Sequence, residues 1–331
     1  MEVESVSKQN KKYDIDVKVR DFCGKSKLFF ILSLILVIIS IASTFTGVDI
    51  ALEFKGGTII TYSYEGDVDT AKIESTLSDL VGSSVSVQDG ESIGEAGKTL
   101  SLSFSSKDGL TVERQSEVTE AVRGLYPDAN IEVLDSNDVD ARSGSEFFTK
   151  CIVAAAFAAI ILILYIALRF KQISGWSAGV CAIVGLVQTL VVTYGSVVLI
   201  GFEINSNFMA VILTLLGYAV NDTIVIYDRI RENQSIYTDM EISELVNTSS
   251  SQSLRRSIRT SVTTFVSMLA VTVVALVMGL DSIISFSVPM MVGIVIGTYN
   301  SLCFVPSLWV WWQKKRGITT LKPAKKKQAL S

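Results

Sequence analysis

Histidine is absent from this 331-residue sequence. Imidazole is the side chain that most often carries protons near neutral pH, so any proton chemistry here must use carboxylates. Cysteine is scarce: of the four, Cys151, Cys181 and Cys303 lie in apolar segments and Cys23 lies near the N-terminus. None falls in the polar region between the first two apolar segments, so no disulfide framework is expected there.

A nucleotide-binding loop is also missing. Gly24, Lys25 and Ser26 imitate the end of such a loop, but the first glycine of the motif would fall at Val19, and no predicted strand precedes it. We find no metal-ligating or nucleophile pattern either. The sequence therefore predicts no cofactor, no enzymatic activity and no nucleic-acid partner.

Charged residues are missing from six long stretches, and this feature sets the class of the protein. Each stretch has 18 or more residues, and about 20 are needed for a helix to cross ~30 Å of hydrocarbon. We predict a membrane all-α bundle of six transmembrane helices, in which the long third and sixth stretches include flanking turns. The stretches are 28–48, 151–168, 172–202, 204–221, 260–280 and 282–313.

Basic residues select the orientation of this bundle. Four clusters fall on one side if the chain starts inside, as the positive-inside rule requires, and the opposite loops around Glu203 and Asp281 carry no base. Both termini are therefore predicted to be cytoplasmic. The clusters lie at 18–27 before the first stretch, at Arg169 and Lys171, at 229–259, and at 314–316 after the sixth.

A polar region, 49–147, separates the first two stretches and is predicted to form an outer domain. It holds 20 of the 33 acidic residues and only seven basic ones, as suits a small soluble surface. Its periodicity predicts the order β-α-β-β-α-β of a ferredoxin-like α+β unit. The predicted strands are 58–64, 83–88, 99–104 and 130–134, and the predicted helices are 70–81 and 112–125.

The other domain boundaries follow from these segments. Residues 1–27 form the N-terminal segment, 28–48 the first transmembrane helix, 148–313 the other five helices, and 314–331 a basic tail that meets anionic lipid or stays solvated. Within the bundle, 229–259 is a polar segment that we predict to be helical around 240–246 and to lie along the membrane surface.

Asp222 is the strongest candidate for function. It interrupts the fourth stretch about 18 residues, or ~27 Å, from the outer end. A carboxylate at that depth is unfavourable unless it is paired, protonated or facing water, so it is a functional candidate by default. The alternative is that Asp222 lies at the interface and only ends the membrane span, and the apolar residues 223–227 argue against it.

Arg256 lies near the inner end of the fifth stretch, at a depth similar to that of Asp222 if the two helices pack side by side. A nearby arginine would favour the ionised carboxylate, and its departure would let the acid take a proton. The pair would then couple an ion to a conformational change. The alternative is that Arg256 and its two neighbouring arginines are only positive-inside anchors, and the spacing alone favours this alternative.

Polar residues that follow Asp222 are predicted to be structural. Asp228, Arg229, Arg231 and Glu232 fit an interfacial charge network, with Asp228–Arg231 and Asp228–Glu232 as sets at i, i+3 and i, i+4 spacing. Such a network would fix the end of the fourth helix.

Two glycine motifs are also interpreted as structural. Gly56 and Gly57, which follow Glu53, permit a positive φ or a close backbone approach before a strand. Gly293 and Gly297 form a GxxxG face for close helix packing in the sixth stretch.

Three blocks of this sequence resemble the SecF branch of the SecD/SecF family, in the resistance-nodulation-division superfamily. They are the turn 54–58, the run from Gly217 to Asn233, and 252–261 around Arg256, and the likeness extends roughly over 28–312. The middle block is specific to that family in a chain of this topology.

The resemblance implies a protein-translocase subunit in the bacterial cytoplasmic membrane. Its expected partners are SecD, the SecYEG channel, the ATPase SecA and YajC, with an unfolded secretory protein as the cargo and the proton gradient as the energy source. It also implies that Asn221, Asp222 and Arg256 belong to the proton path.

The sequence departs from the family at two places. Glu53 stands where aspartate is usual, which keeps the charge, and Gln188 and Thr189 stand where many relatives carry a His-Asp pair. Because hydroxyl and amide oxygens suit hard cations, sodium coupling becomes an alternative to proton coupling. Two other functions stay open: half of a small-molecule or lipid exporter, and a scaffold that moves no ions.

Overall fold

The computed structural model describes residues 17–82, 85–91, 98–105, 109–139, 141–278 and 280–321. Six helical segments among them are long and apolar enough to cross a membrane, as the six charge-free stretches predict. The helices are α1 (Ser26–Ser43), the short α2 (Leu52–Lys55), α3 (Thr70–Val81), α4 (Val112–Leu125), α5 (Ala141–Arg169), α6 (Gly175–Ile200), α7 (Ser206–Ile236), α8 (Ile242–Val277), α9 (Asp281–Tyr299) and α10 (Val305–Lys315), with a π-helical segment, Asn300–Phe304, between the last two.

A four-stranded sheet forms between α1 and α5. Its strands β1 (Gly57–Tyr64), β2 (Val85–Glu91), β3 (Lys98–Ser105) and β4 (Glu132–Val139) lie in the order β2-β3-β1-β4, and all neighbours are antiparallel. Alternate residues of β1 and β3 are buried against α3 and α4, so this unit has its own apolar core. We call it the sheet domain.

The element order predicted for the sheet domain is present, but the last strand was misplaced. It begins at Glu132 rather than at residue 130, because the preceding turn continues through Asn130, whose φ is 44°. The side chains of 132–138 are exposed, so the sequence there shows no apolar alternation to mark the strand.

Two predicted features of the bundle are wrong, and one boundary differs only in detail. Helix α5 begins at Ala141, but its apolar membrane-spanning part begins at Glu146, close to the predicted boundary at 148. The predicted surface helix around 240–246 does not stand alone, because Ile242 begins the long helix α8. The sixth span is helical from Ser282 to Lys315, without the predicted flanking turns, whereas the third stretch does include a turn, Lys171–Ile173, before α6. Residues 1–16, 83–84 and 322–331 of the predicted segments lie outside the described residues.

The glycine pair of the sixth span packs against α7, as predicted. A Cβ on Gly293 would lie 2.4 Å from Leu215 Cδ1, and one on Gly297 would lie 3.4 Å from Ala219 Cβ. Small residues at these points let two helices approach closely where burial of apolar surface from water cannot drive their association.

The two ends of the bundle differ, and we name them by what they carry. The sheet side carries the sheet domain. On the terminal side, Asn247 Oδ1 accepts hydrogen bonds from the backbone N–H groups of Phe22 (3.0 Å) and Cys23 (2.9 Å). The N–H of Ile242 donates to the carbonyl of Thr319 (2.8 Å), so both ends of the described chain meet the start of α8.

Candidate functional site

Asp222 lies inside α7, and its side chain is enclosed. The residue is 9% exposed, and the helix continues for almost four turns beyond it, to Ile236. Asp222 therefore does not end the helix, and whether it marks the inner limit of the membrane span stays a prediction. Two groups on α8 lie near the carboxyl: the hydroxyl of Ser257 and the guanidinium of Arg256.

Ser257 was missed by the sequence reasoning, although it follows Arg256 directly. It is completely buried, and its Oγ makes no hydrogen bond within normal limits of distance and angle. A buried hydroxyl of this kind can donate a hydrogen bond to the ionised Asp222 carboxylate, or accept one from the protonated acid, after a small movement. Arg256, in contrast, is exposed in this chain.

A cleft of about 310 Å³ opens beside this pair on the terminal side. Its wall includes Arg256, and Val225, which lies one helical turn after Asp222. A cleft of this size can hold water, and neither Asp222 nor Ser257 is among the residues that line it. The other lining residues are Asp228, Arg229, Glu232, Gln252 and Ser253.

The predicted charge network surrounds the mouth of this cleft. Asp228 pairs with Arg231 at 2.8 Å, as predicted, and also with Arg169 at 3.1 Å, at the end of α5. The grouping of Asp228 with Glu232 was wrong, because two acids repel each other and Glu232 pairs with Arg229 at 2.6 Å instead. The network therefore connects α5 with α7 as well as fixing the end of α7.

A buried amide joins α7 to α8 next to the cleft. Asn233 Nδ2 donates to Ser249 Oγ (2.9 Å) and to Gln252 Oε1 (2.8 Å), and Gln252 Oε1 also accepts from Arg229 Nε (2.6 Å). Asn233 is thus a structural residue in this geometry, while Gln252 and Ser249 were not recognised from the sequence. Because neither carries a charge, only their position reveals the contact.

Two residues of the specific block face outward. Gly217 and Asn221 are exposed on α7, and nothing within 4 Å would meet a Cβ on Gly217. Neither contributes to packing within the chain. Three exposed hydroxyls lie on the neighbouring helix α8, at Thr260, Thr263 and Ser267, and each is bonded to a carbonyl of the preceding turn. We call these five residues the polar face.

A second polar layer is sealed between α6, α7 and the sixth span. Asn300 Nδ2 donates to Thr189 Oγ1 (2.8 Å) and to the carbonyl of Gly185 (3.0 Å), and Thr223 Oγ1 donates to Ser301 Oγ (3.0 Å). Gln188 is 6% exposed, and neither of its amide atoms has a hydrogen-bond partner. All of the side chains named in this layer are uncharged.

Glu53 lies on the sheet side, at the start of α7. Its Oε2 accepts hydrogen bonds from the backbone N–H (3.1 Å) and from the hydroxyl of Ser206. The following glycines have the predicted special conformations, since φ is 80° at Gly56 and 148° at Gly57, and a Cβ on Gly57 would lie 2.0 Å from the carbonyl oxygen of Phe104.

Among the described residues, no group of three or more His, Cys, Asp or Glu side chains is placed to hold a metal ion. A single carboxyl such as that of Asp222 can bind and release a proton, and the guanidinium of Arg256 lies near it.

The likeness to known proteins is broad. Residues 117–315 match the family described as "Protein export membrane protein SecD/SecF, C-terminal". The protein translocase subunit SecF of Calditerrivibrio nitroreducens is 32% identical over 285 residues, which cover 85% of this chain and 90% of the relative. SecF of Petrotoga mobilis is 30% identical, over 89% of this chain and 97% of the relative.

A solved structure shares the fold. The crystal structure of SecDF from Thermus thermophilus, described as a translocon-associated membrane protein, matches with a TM-score of 0.74 at 28% identity. The match covers 89% of this chain but only 39% of that one, so this chain corresponds to less than half of SecDF.

Proposed function

The chain belongs to the SecD/SecF family of protein export membrane proteins, and we propose that it acts with a SecD subunit to couple an ion gradient to late steps of protein export across the bacterial cytoplasmic membrane. The observation that carries this proposal is the enclosed Asp222 carboxyl beside Arg256 and Ser257. Family membership supports a role in protein export. The site itself would allow a single bound ion to change the charge inside the helix bundle.

Asp222 and Arg256 can work as a two-state pair. Ionised Asp222 attracts the Arg256 guanidinium, whereas a protonated carboxyl does not, so Arg256 is then free to turn toward the water of the cleft. One charge that crosses 100 mV releases about 2.3 kcal/mol. That amount shifts an equilibrium between two conformations about 50-fold, which is sufficient to drive a cycle.

SecD is the partner that we assign to the polar face. Lipid tails cannot hydrogen-bond to the exposed amide of Asn221, and they gain little from Gly217. A helix of a second subunit can approach closely at the glycine and bond to the amide. The likeness to SecDF, of which this chain spans 39%, supports a partner that corresponds to the remaining part.

We also infer a ferredoxin-like outer domain and two cytoplasmic termini. The strand order β2-β3-β1-β4, with helices after β1 and β3, supports the first inference. The basic residues Arg169, Arg231 and Lys314, all on the terminal side, support the second. SecYEG, SecA, YajC and an unfolded secretory protein are further partners, because they serve the same export process, and lipid surrounds the bundle.

The decisive experiment uses membrane vesicles that contain the complete translocase. Secretion is measured with a proton gradient and with a sodium gradient imposed separately, in the wild type, in Asp222→Asn and in Asp79→Asn, which alters an exposed carboxylate of α3. We expect Asp222→Asn to assemble with SecD but to lose gradient-dependent stimulation, and Asp79→Asn to keep it. Unchanged stimulation in Asp222→Asn would refute the role of Asp222.

The neutral layer around Gln188 and Thr189 favours one alternative. A chain that lacks a second membrane carboxylate there could stabilise the translocon without moving ions. Secretion that still requires the protein, but that responds to neither gradient, would support this scaffold function.

A further inference from the structure

We propose that Glu53 is a positioning residue that ties the sheet domain to α7, so that movement of the outer domain and the state of Asp222 are mechanically linked. This inference rests on the proposed ion-coupled function, and it adds the route by which the membrane site and the outer domain are connected.

The contact is made at the first residue of α7. The N–H groups of the first helical turn have no partners within the helix, and an anion near them is favoured by the helix dipole. Glu53 Oε2 accepts from the N–H and the hydroxyl of Ser206, while the N-cap residue Asn205 accepts from the N–H of Phe208 (3.0 Å). A side chain from outside α7 therefore completes its N-terminus.

The backbone beside Glu53 is paired with the same loop. The N–H of Ala51 donates to the carbonyl of Ile204 (3.0 Å), and the N–H of Ile204 donates to the carbonyl of Asp49 (2.8 Å). Residues 49–53 and 204–206 thus share three points of attachment within a few residues. Such a joint transmits displacement rather than absorbing it.

The same segment is also held against α5. A Cβ on Gly144 would lie only 1.9 Å from the carbonyl oxygen of Glu53, so only glycine permits this approach. The ring of Phe54 stacks on Phe147 at 6.0 Å between centroids and meets Phe148 edge-on at 5.7 Å. Helices α5 and α7 therefore both contact the short helix α2, which leads directly into β1.

Helix α7 carries the link through the membrane. It is a single helix from Ser206 to Ile236, and Asp222 lies 16 residues after Ser206, about 24 Å along the axis. Since helices are stiff over this length, a shift of the sheet domain at Glu53 moves Asp222 relative to Arg256 on α8. The surrounding charges at the joint are Asp49, Lys55 and Glu203.

The first measurement tests the tie without reference to activity. In a variant whose four cysteines are replaced by alanine, spin labels are attached at Glu74→Cys on α3 and Leu199→Cys at the end of α6, and their distance is measured by pulsed electron paramagnetic resonance. We expect Glu53→Ala to broaden the distance distribution, and Glu53→Gln, which keeps an acceptor oxygen, to broaden it much less. A distribution unchanged by Glu53→Ala would overturn the tie.

The second measurement tests positioning, in the vesicles described above. We expect Glu53→Ala to reduce gradient-dependent stimulation at least fivefold, Glu53→Gln to reduce it less than twofold, and Glu120→Ala, an exposed acidic residue of α4, to leave it unchanged. Gradient-independent secretion and assembly with SecD should stay near wild type in all three, which separates this role from simple loss of folding.

The outcomes separate the two proposals. If Glu53→Ala broadens the distances but keeps full stimulation, the tie does not position the ion site and this inference fails while the role of Asp222 stands. If Asp222→Asn keeps stimulation, the proposed function fails, and the distance measurement alone still decides whether Glu53 holds the sheet domain to α7. If Glu53→Ala does not fold, Glu53→Gln must show an intermediate loss that tracks its distance distribution, and no such correlation would contradict the inference.

Discussion

Two polar clusters lie within the membrane part of this protein, and they are built in opposite ways. Around Asn300, neutral groups are sealed between α6, α7 and the sixth span, where Asn300 and Thr189 bond to each other and to the backbone. Around Asp222, charged groups lie between α7 and α8 next to a cleft. Neutral groups can be buried when they are hydrogen-bonded, whereas charges need water or a mobile partner nearby. The first cluster is suited to holding helices together and the second to changing state.

The largest effect is expected from removing the guanidinium of Arg256 beside Asp222. Arg256→Ala should lower gradient-dependent stimulation of secretion at least tenfold. In this variant the charge of the Asp222 carboxyl no longer has an arginine to attract or release. The matched control is Arg255→Ala, since Arg255 is exposed on the same turn but does not line the cleft. Secretion by vesicles measures both. Equal losses in the two variants would mean that these arginines act only as positive-inside anchors, and the contrast between the clusters would be lost.

Asn300 should matter for stability rather than for ion coupling. Asn300→Leu removes the donor to Thr189 Oγ1 and one of the donors to the Gly185 carbonyl, which still accepts from Thr189 Oγ1 (3.0 Å). The loss of such buried hydrogen bonds costs about 1–3 kcal/mol. Asn221→Leu, on the polar face, should change the stability of the isolated chain by less than about 0.5 kcal/mol. Unfolding of the purified chain in detergent measures both values. A larger loss in Asn221→Leu would contradict the assignment of that surface to a partner.

One buried glycine and one exposed glycine allow the same comparison between internal packing and a surface assigned to a partner. Gly293→Ala places a methyl group 2.4 Å from Leu215 Cδ1 and should destabilise the chain by about 1–3 kcal/mol. Gly217→Ala meets nothing within 4 Å and should stabilise α7 slightly, by up to about 1 kcal/mol. In co-purification, however, Gly217→Ala should retain less SecD. Normal retention would mean that close approach at Gly217 is not required.

The smallest effect concerns pH at the two ends of the bundle. On the terminal side, hydrogen bonds from Lys314 and Ser243 lower the pKa of Glu241. Its contribution to the stability of the folded chain is therefore present above the ordinary glutamate pKa of about 4.3, and it is lost as the pH falls through the lowered value. Because this pair is half exposed, the contribution is about 0.5 kcal/mol or less.

On the sheet side, Glu203 has the opposite sign. Burial, with Asp49 nearby, raises its pKa, so the folded state binds its proton more tightly than the unfolded chain does. Stability then falls as the pH rises from about 4.3 through the raised value. Melting temperatures between pH 4 and 7 should show Glu203→Gln to be more stable than wild type at pH 7, and Glu241→Gln to be slightly less stable. The same sign for both would refute this difference.

The sequence was sufficient to predict the bundle and the order of the sheet domain. The length of an apolar stretch and the alternation of apolar residues can be read from a segment without its neighbours. For this reason the six spans and the element order of the sheet domain were predicted correctly. It was insufficient at Glu132–Val139, because an exposed edge strand has no apolar alternation. It was also insufficient at the start of α8, because a polar helical segment can either lie along the membrane surface or continue into a membrane span.

The site divides in the same way. Asp222 was identified from the sequence because a carboxylate in an apolar run is conspicuous wherever it occurs. Ser257, Asn300, Ser206 and Gly144 were not, because serine, asparagine and glycine are common and acquire meaning only through a neighbour distant in the chain. Charge and apolar length are properties that each segment carries alone, so the sequence by itself determined the membrane class and the central acid. Contacts depend on which helices meet, so only the tertiary structure decided that Arg256 lies near Asp222, that the neutral layer around Asn300 is buried, and that Glu53 caps the helix that carries Asp222.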